Sequence, residues 1–405
     1  MSTTSMHPIS TEEKAFWTDI RKQFYLHDHV TYLQGGSVGP SAKPAIEKTI
    51  ELLRKLESDP LQMEESDVLG PLVEESREKL AAFVGTTADR IALVLNTTMG
   101  MNIPGQGLIW ERGTEVLLSD QEYPAVRNLW EWVAERDGLT LNYISLPVPP
   151  DSPQDIVDAY AAGINEKTSI LVFSHVYFTT GLVTPIKELT RLAHDHDCVA
   201  IIDGAHAVGM TPLNLSDVGC DFYTSSCHKW LLAPKGVGFL YMDAKYQNKV
   251  RPVIIGHNMH ESESASRYDV NGTRDVTHHA SLGTAIDFQS DIGWEEKIRP
   301  YCLGMAKYLK IQALERIRGS KLTIPMDIES SAFIVSFSID GINLGKVCRY
   351  LWDDYKIEAT ANGANGMQFF RMSIHFYASY EDIDRFIKAV NEIIAKYDDV
   401  HIKEA

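Results

Sequence analysis

The sequence predicts an α/β protein with a large, mostly parallel sheet domain followed by a smaller C-terminal α+β domain. Three observations carry this. From Ile91 to Tyr241 short β-branched runs alternate with helical patterns. Several of those runs are almost wholly apolar, as strands covered on both faces must be. After about Gly283 the order changes to a long helix, two strands, a helix, a strand and a final helix. Regular alternation of strand and helix implies parallel strands joined by crossover helices.

The strands are expected at Ile91–Leu95, Glu115–Leu118, Leu141–Ser145, Ser169–Ser174, Val199–Ile202, Asp221–Thr224 and Gly238–Tyr241. Helices are expected between them at Met99–Trp110, Ala125–Arg136, Gln154–Ala161 and Pro185–His196. Thr184 before Pro185 reads as an N-cap with proline at the first helical position. The C-terminal part is expected to hold a helix at Ile298–Ile317, strands at Lys321–Ile324 and Ala332–Ile339, a helix at Leu344–Tyr355 and a strand at Gln368–Ile374. Ser379 with Asp382 signals a capping box for the last helix. There Ile383, Phe386, Ile387, Val390, Ile393, Ile394 and Tyr397 share one face. The chain is expected to divide into an N-terminal arm (1–30), a large domain (31–285) and a small domain (286–405).

Composition narrows the function. With 38 Lys+Arg against 55 Asp+Glu the formal charge is −17, which repels phosphate backbones, and nucleic-acid binding is not expected. No uncharged apolar run is long enough to span a bilayer. Met1 to Thr11 lacks a hydrophobic secretion core. The five cysteines, Cys198, Cys220, Cys227, Cys302 and Cys348, are scattered without a CxxC pair, as suits a reducing compartment. A cytoplasmic enzyme that takes a small molecule is expected.

In doubly wound sheets ligands bind beyond the carboxyl ends of strands, so the polar residues there matter most. Asn96-Thr97-Thr98-Met99-Gly100 leads directly into a helix, and helix-start N–H groups with threonine hydroxyls suit an anion; an ordinary threonine N-cap is the plain alternative. Asp203 closes the apolar run Val199–Ile202, where an unpaired acid would be costly. Ser226-Cys227-His228-Lys229-Trp230 follows another strand, and a lysine there is a candidate nucleophilic amine; Lys235 beside Gly236 is its local rival. His194-Asp195-His196-Asp197-Cys198 reads as a solvated turn, and His278-His279 lacks a nearby carboxylate or thiolate partner, so no metal is expected.

Together these segments resemble the class V aminotransferases, most closely the isopenicillin N epimerase-like branch. The match joins Asp203-Gly204-Ala205-His206, Ser226–Trp230 and Pro234–Gly238 to Tyr32–Pro40, Asn96–Asn102, Glu122-Tyr123-Pro124-Ala125, Asn271–Asp275 and Arg371–His375. It runs from about Tyr32 to Phe386. The resemblance implies a pyridoxal 5′-phosphate (PLP) enzyme of fold-type I, aspartate aminotransferase-like, working as a homodimer with active sites at the subunit interface.

By resemblance Lys229 is the Schiff-base lysine, Asp203 pairs with the pyridine nitrogen, and His206 faces the cofactor's phenolic oxygen. Thr97, Thr98, Ser226 and His228 fall where the family binds phosphate. Gly272 and Thr273 match a segment given across the dimer to the same phosphate. Tyr123 stands where an aromatic ring stacks on the pyridine. Arg371 matches the clamp for the substrate α-carboxylate, with Gly36 and Ser37 on the substrate side. Phe178 replaces an asparagine common in relatives. No cysteine lies between Lys356 and Phe370, so the persulfide chemistry of cysteine desulfurases lacks its nucleophile. Epimerisation is the leading expectation, with C–S β-elimination or transamination as alternatives and a non-catalytic PLP-binding protein set aside.

Overall fold

The structure is a computed structural model that describes residues 8–65, 68–256, 264–269, 272–327, 329–364 and 366–402. Asn271 of the Asn271–Asp275 motif and residues 1–7 of the N-terminal stretch lie outside the described residues. In chain order the elements are α1 (Thr11–Arg21), β1 (Thr31–Tyr32), α2 (Lys43–Ser58), α3 (Pro60–Glu65), α4 (Leu69–Phe83), β2 (Ile91–Val94), α5 (Thr97–Gly107), β3 (Glu115–Ser119), α6 (Pro124–Asp137) and β4 (Thr140–Ile144). There follow α7 (Pro153–Gly163), β5 (Thr168–Ser174), α8 (Ile186–Asp195), β6 (Val199–Asp203), α9 (Leu215–Val218), β7 (Phe222–Ser226), β8 (Gly238–Met242), α10 (Thr277–Ala280) and α11 (Leu282–Ile292). The chain ends with α12 (Arg299–Arg316), β9 (Ser320–Leu322), β10 (Ile334–Ile339), α13 (Leu344–Tyr355), β11 (Ile357–Glu358), β12 (Thr360–Ala364), β13 (Met367–Ser373) and α14 (Tyr380–Lys396).

Two compact units form. The sheet unit comprises Pro44–Phe178 and Val183–Ser290; the split unit comprises Met1–Lys43, Thr179–Leu182 and Asp291–Ala405. The split unit is discontinuous, because backbone pairing gathers its pieces. β1 runs parallel to β11 through Thr31↔Ile357, and Gln34 bridges Ser373. Ser336 Oγ donates to the Thr180 carbonyl at 2.6 Å.

The sheet unit carries seven strands in the order β2-β8-β7-β6-β5-β3-β4. β7, β6, β5, β3 and β4 pair in parallel, and β8 lies antiparallel to both neighbours. β8 follows β7 through an irregular turn instead of a crossover helix, so it returns in the opposite direction. The inner strands β3, β7 and β8 are buried throughout, as an apolar strand under helices on both faces requires. β4 is an outer strand, and its residues are exposed or half-buried.

The other outer strand, β2, is buried at every position, and its open edge is capped by charge. Arg77 Nη1 donates to the Ile91 carbonyl at 2.8 Å, and Leu93 N–H donates to Asp269 Oδ1 at 2.7 Å. Arg77 and Asp269 pair with each other at 2.8 Å. An unpaired edge invites association, and this ion pair satisfies it. Removing one partner of a buried pair strands the other charge, at about 3–5 kcal/mol. Arg77→Ala is expected to lower the unfolding free energy from urea titration by that amount; an effect under about 1 kcal/mol would mean the edge is held by something else.

The split unit holds a four-stranded antiparallel sheet, β12-β13-β10-β9. β12 pairs antiparallel with β13, where no strand was expected from sequence; Asn365 lies outside the described residues. Glycine-rich, weakly apolar residues hid this strand. The capping box of α14 is formed: Ser379 Oγ accepts from Asp382 N–H and the Asp382 carboxylate takes the Ser379 N–H. α8 departs from its expected cap. Thr184 Oγ1 donates to the Ser174 carbonyl at 2.7 Å, so that hydroxyl serves the end of β5, and Pro185 is itself the capping residue. Among the described residues no helix is long and apolar enough to cross a membrane.

Candidate active site

The carboxyl ends of the parallel strands bring most of the expected residues together in the sheet unit. β5 ends at Ser174 and β6 at Asp203, which are in register, and His175 N–H extends the pairing to the Asp203 carbonyl at 2.8 Å. β7 ends at Ser226 and leads into the turn that carries His228 and Lys229. Lys229 Nζ lies 3.1 Å from His206 Nε2. The His206 ring, buried at 3% exposure, packs edge-on to Trp230. Gln289 donates to the Trp230 carbonyl at 2.9 Å and pins the turn from behind.

Asp203 is 4% exposed. Its Oδ1 accepts from Ala205 N–H at 2.9 Å, and among the described residues no lysine or arginine is within ion-pair distance. Burial raises its pKa, against the opposing pull of Ala205 N–H and the Lys229 charge. Gly204 has to be glycine: a Cβ there would stand 2.1 Å from the Tyr223 ring. The Tyr223 hydroxyl in turn meets His175 Nδ1 at 2.9 Å, and burial drops the His175 pKa to about 3.

At the start of α5 the cap is Asn96, whose Oδ1 accepts from Met99 N–H at 2.9 Å, so neither threonine caps the helix. Thr97 instead meets Ser226: its N–H donates to Ser226 Oγ at 3.0 Å and the two hydroxyls lie 2.8 Å apart. Thr98 is exposed, and its N–H has no protein acceptor among the described residues. Gly100 sets this helix end close to β7, since a Cβ would fall 1.9 Å from Thr224 Oγ1. A helix start with a serine and two threonines is a basin for an anion. His228, its pKa lowered to about 4 by burial and by the neighbouring Lys229 charge, stays neutral at pH 7 and offers a ring hydrogen bond.

Tyr123, 45% exposed, caps the start of α6 and meets Phe178 edge-on with ring centroids 5.2 Å apart. Gly272, at φ +122°, and Thr273 lie in an exposed bend; the structure gives Thr273 no contact with Thr97 or Ser226. Lys235 is exposed beyond the turn.

Gly36, Ser37 and Arg371 belong to the split unit. Arg371 sits in β13, opposite Ser336 on β10 and Thr360 on β12, and is 5% exposed. Its Nη2 donates to Ser37 Oγ at 2.5 Å, and that hydroxyl reaches Gln34 at 2.9 Å. Outside these sites, His194 pairs with Asp221, and His279 Nε2 meets the Val94 carbonyl at 3.2 Å.

One residue of the Glu122–Ala125 motif was given no role from sequence. Glu122, directly before Tyr123, is 1% exposed and accepts from Ser174 Oγ at 2.6 Å and Ser119 Oγ at 2.9 Å. Apart from that motif, its sequence signal was an acid following an apolar strand and a polar turn, which solvated loops share.

The profile of the family described as aminotransferase class-V matches residues 32–386. Isopenicillin N epimerase of Streptomyces clavuligerus is 32% identical over 395 residues, covering 94% of this chain and 98% of that one. Hercynylcysteine sulfoxide lyase of Schizosaccharomyces pombe is 26% identical over 300 residues, covering 72% and 76%. Among solved structures, the cystine C-S lyase C-DES, with glycine covalently linked to its PLP cofactor, superposes with a TM-score of 0.83 at 22% identity, over 91% of this chain and 98% of that one. The fold is the fold-type I, aspartate aminotransferase-like α/β architecture. Because the profile spans almost the whole chain and a relative 32% identical covers 94% of it, this enzyme belongs to the class V aminotransferase family.

Proposed function

We propose that the protein acts at the α-carbon of an amino-acid substrate, as an epimerase of the isopenicillin N epimerase kind. The observation that carries this is 32% identity to an enzyme of that name, sustained over 94% of this chain. The cofactor is pyridoxal 5′-phosphate, and the residues present fit it. Asp203 is a buried carboxylate without a cation within ion-pair distance among the described residues, and such a group calls for a charged N–H donor; the pyridine nitrogen is one. Thr97, Thr98, Ser226 and the start of α5 suit a phosphate, with His228 adding a neutral donor.

When bound, PLP withdraws electrons from the substrate α-carbon, chemistry that no side chain supplies. Everything else falls to the chain. Lys229 would hold the cofactor covalently and, on its own face, take or return the α-proton at Nζ. His206 orients that amine and faces the phenolic oxygen. Asp203 keeps the ring nitrogen protonated. Tyr123 covers the ring face. Arg371, steadied by Ser37 with Gly36 alongside, binds the substrate carboxylate through its planar fork. Epimerisation needs a second acid/base group on the opposite face; the Tyr123 hydroxyl or a water fills it. Thr273 completes the phosphate site across a homodimer, and the protein works in the cytoplasm.

C–S β-elimination is the second reading, favoured by the likeness to hercynylcysteine sulfoxide lyase; it needs only Lys229 and a substrate with a leaving group. A persulfide route fits less well. Cys348 lies inside α13 with its thiol pushed up to about 12 by burial, and a nucleophilic thiol needs a lowered pKa. Incubation with candidate L-amino acids in D2O separates the readings. α-Deuteration with racemisation is the expected result; pyruvate with a released thiol would replace the epimerase reading by the lyase, and stoichiometric pyridoxamine phosphate by the aminotransferase.

A further inference from the structure

Glu122 is a carboxyl sealed among hydroxyls. Beyond Ser174 and Ser119, the Tyr160 hydroxyl reaches it at 3.5 Å from α7, and that hydroxyl lies 3.0 Å from the Tyr177 hydroxyl. Among the described residues, the titratable groups that interact with Glu122 are Tyr160 from α7, Tyr177 from the segment after β5 and Asp203 from β6; none of these is a cation. Its position joins three strand ends: Ser119 closes β3, Ser174 closes β5, and Ser174 is in register with Asp203 on β6. Glu122 is also the residue before Tyr123, so whatever fixes its carboxyl fixes the turn that presents that ring.

We propose that Glu122 is a positioning residue of the cofactor site, which locks the Tyr123 turn to the end of β5 and, through its proton, sets how negative the surroundings of Asp203 are. This rests on the reading of Asp203 as the partner of the cofactor ring nitrogen.

The two carboxyls compete as anions. Burial pushes the Glu122 pKa up to about 7, with the Ser174 hydrogen bond opposing and the Asp203 charge adding to the rise. Below that pH Glu122 is neutral and adds no negative charge to the surroundings of Asp203. Above it Glu122 releases its proton to solvent, and a second negative charge strengthens the hold of Asp203 and its partner on their proton, since like charges disfavour one another. Stability is linked to the same proton. The folded chain keeps the Glu122 proton between about 4.5 and about 7 while the unfolded chain has lost it, so this group makes stability fall as pH rises through that window and level off above it.

The test uses Glu122→Gln, which keeps the shape and cannot ionise. In the cofactor-free chain, unfolding midpoints measured from pH 5 to pH 8 are expected to rise relative to wild type as pH increases. In the holoprotein, the pH midpoint of the visible absorption is expected to fall by about half a unit to one unit. Ser174→Ala is the second variant. It deletes the shortest hydrogen bond to the ionised carboxyl, so the upper edge of the stability window is expected to move to higher pH, the reverse of abolishing the window. Stability and absorption profiles of both variants that superimpose on wild type overturn the proposal. Stability profiles that respond as expected in a protein that never develops the cofactor absorption overturn the Asp203 reading instead, and with it the role of Glu122 toward the cofactor.

Discussion

Lys229→Ala is expected to lower kcat by roughly 10⁴-fold or more, because one amine serves both as covalent tether and as acid/base. Positioned proton transfer alone is worth roughly 10²- to 10⁴-fold, and the covalent step adds to it. The geometry makes the loss specific. Nζ lies 3.1 Å from His206 Nε2, and the turn that bears it is fixed by the Gln289 bond to the Trp230 carbonyl. The side chain is half-buried at a strand end and carries little of the core, so thermal stability of the cofactor-free chain is expected to change little. The measurement is borohydride reduction of the holoprotein followed by peptide mass mapping. Wild type is expected to carry the label on Lys229 and the variant to carry none. A label on Lys235, or turnover within tenfold of wild type, would remove the basis of the proposed chemistry.

Asp203→Asn is expected to have the second largest effect, and its sign differs between the two forms of the protein. In the holoenzyme, removing the anion from a buried charge pair costs about 3–5 kcal/mol, or roughly 10²- to 10⁴-fold in kcat/KM. In the cofactor-free chain the carboxylate is an ion held at 4% exposure whose charged form burial disfavours. Replacing it with a neutral amide relieves that cost, and the melting temperature at pH 7 is expected to hold or rise. The Ala205 N–H keeps an oxygen acceptor in asparagine, so the strand end stays in place. Loss of stability in both forms would make Asp203 a structural acid only.

The strands of the sheet unit were legible because each is a short apolar run between turn signals, long enough to cross a sheet and too short to make a stable helix. The expected Val199–Ile202 is observed as Val199–Asp203, and the expected Ser169–Ser174 as Thr168–Ser174. β12 was missed because Ala361, Gly363 and Ala364 carry almost no strand preference, and its pairing with β13 creates the strand. The cap of α5 moved from threonine to Asn96 because Thr97 is occupied with Ser226, 129 residues away. Thr184 moved for the same kind of reason, its hydroxyl drawn to the end of β5.

The site divides along the same line. Lys229, Asp203 and Arg371 stand in ordered motifs, and their chemistry can be named from residue type and sequence neighbours. Glu122 could not be, because an acid in a polar turn is solvated in most proteins, and only the convergence of Ser119, Ser174 and Tyr160 makes this one buried. The amino-acid sequence on its own determined the alternation of strand and helix, the family and the residues that carry charge. Folding alone decided which of those residues share a hydrogen bond and which carboxyls lose water. Periodicity and motif order are local properties of a chain, whereas desolvation and hydrogen-bond partnership depend on segments that meet only once the sheet has assembled.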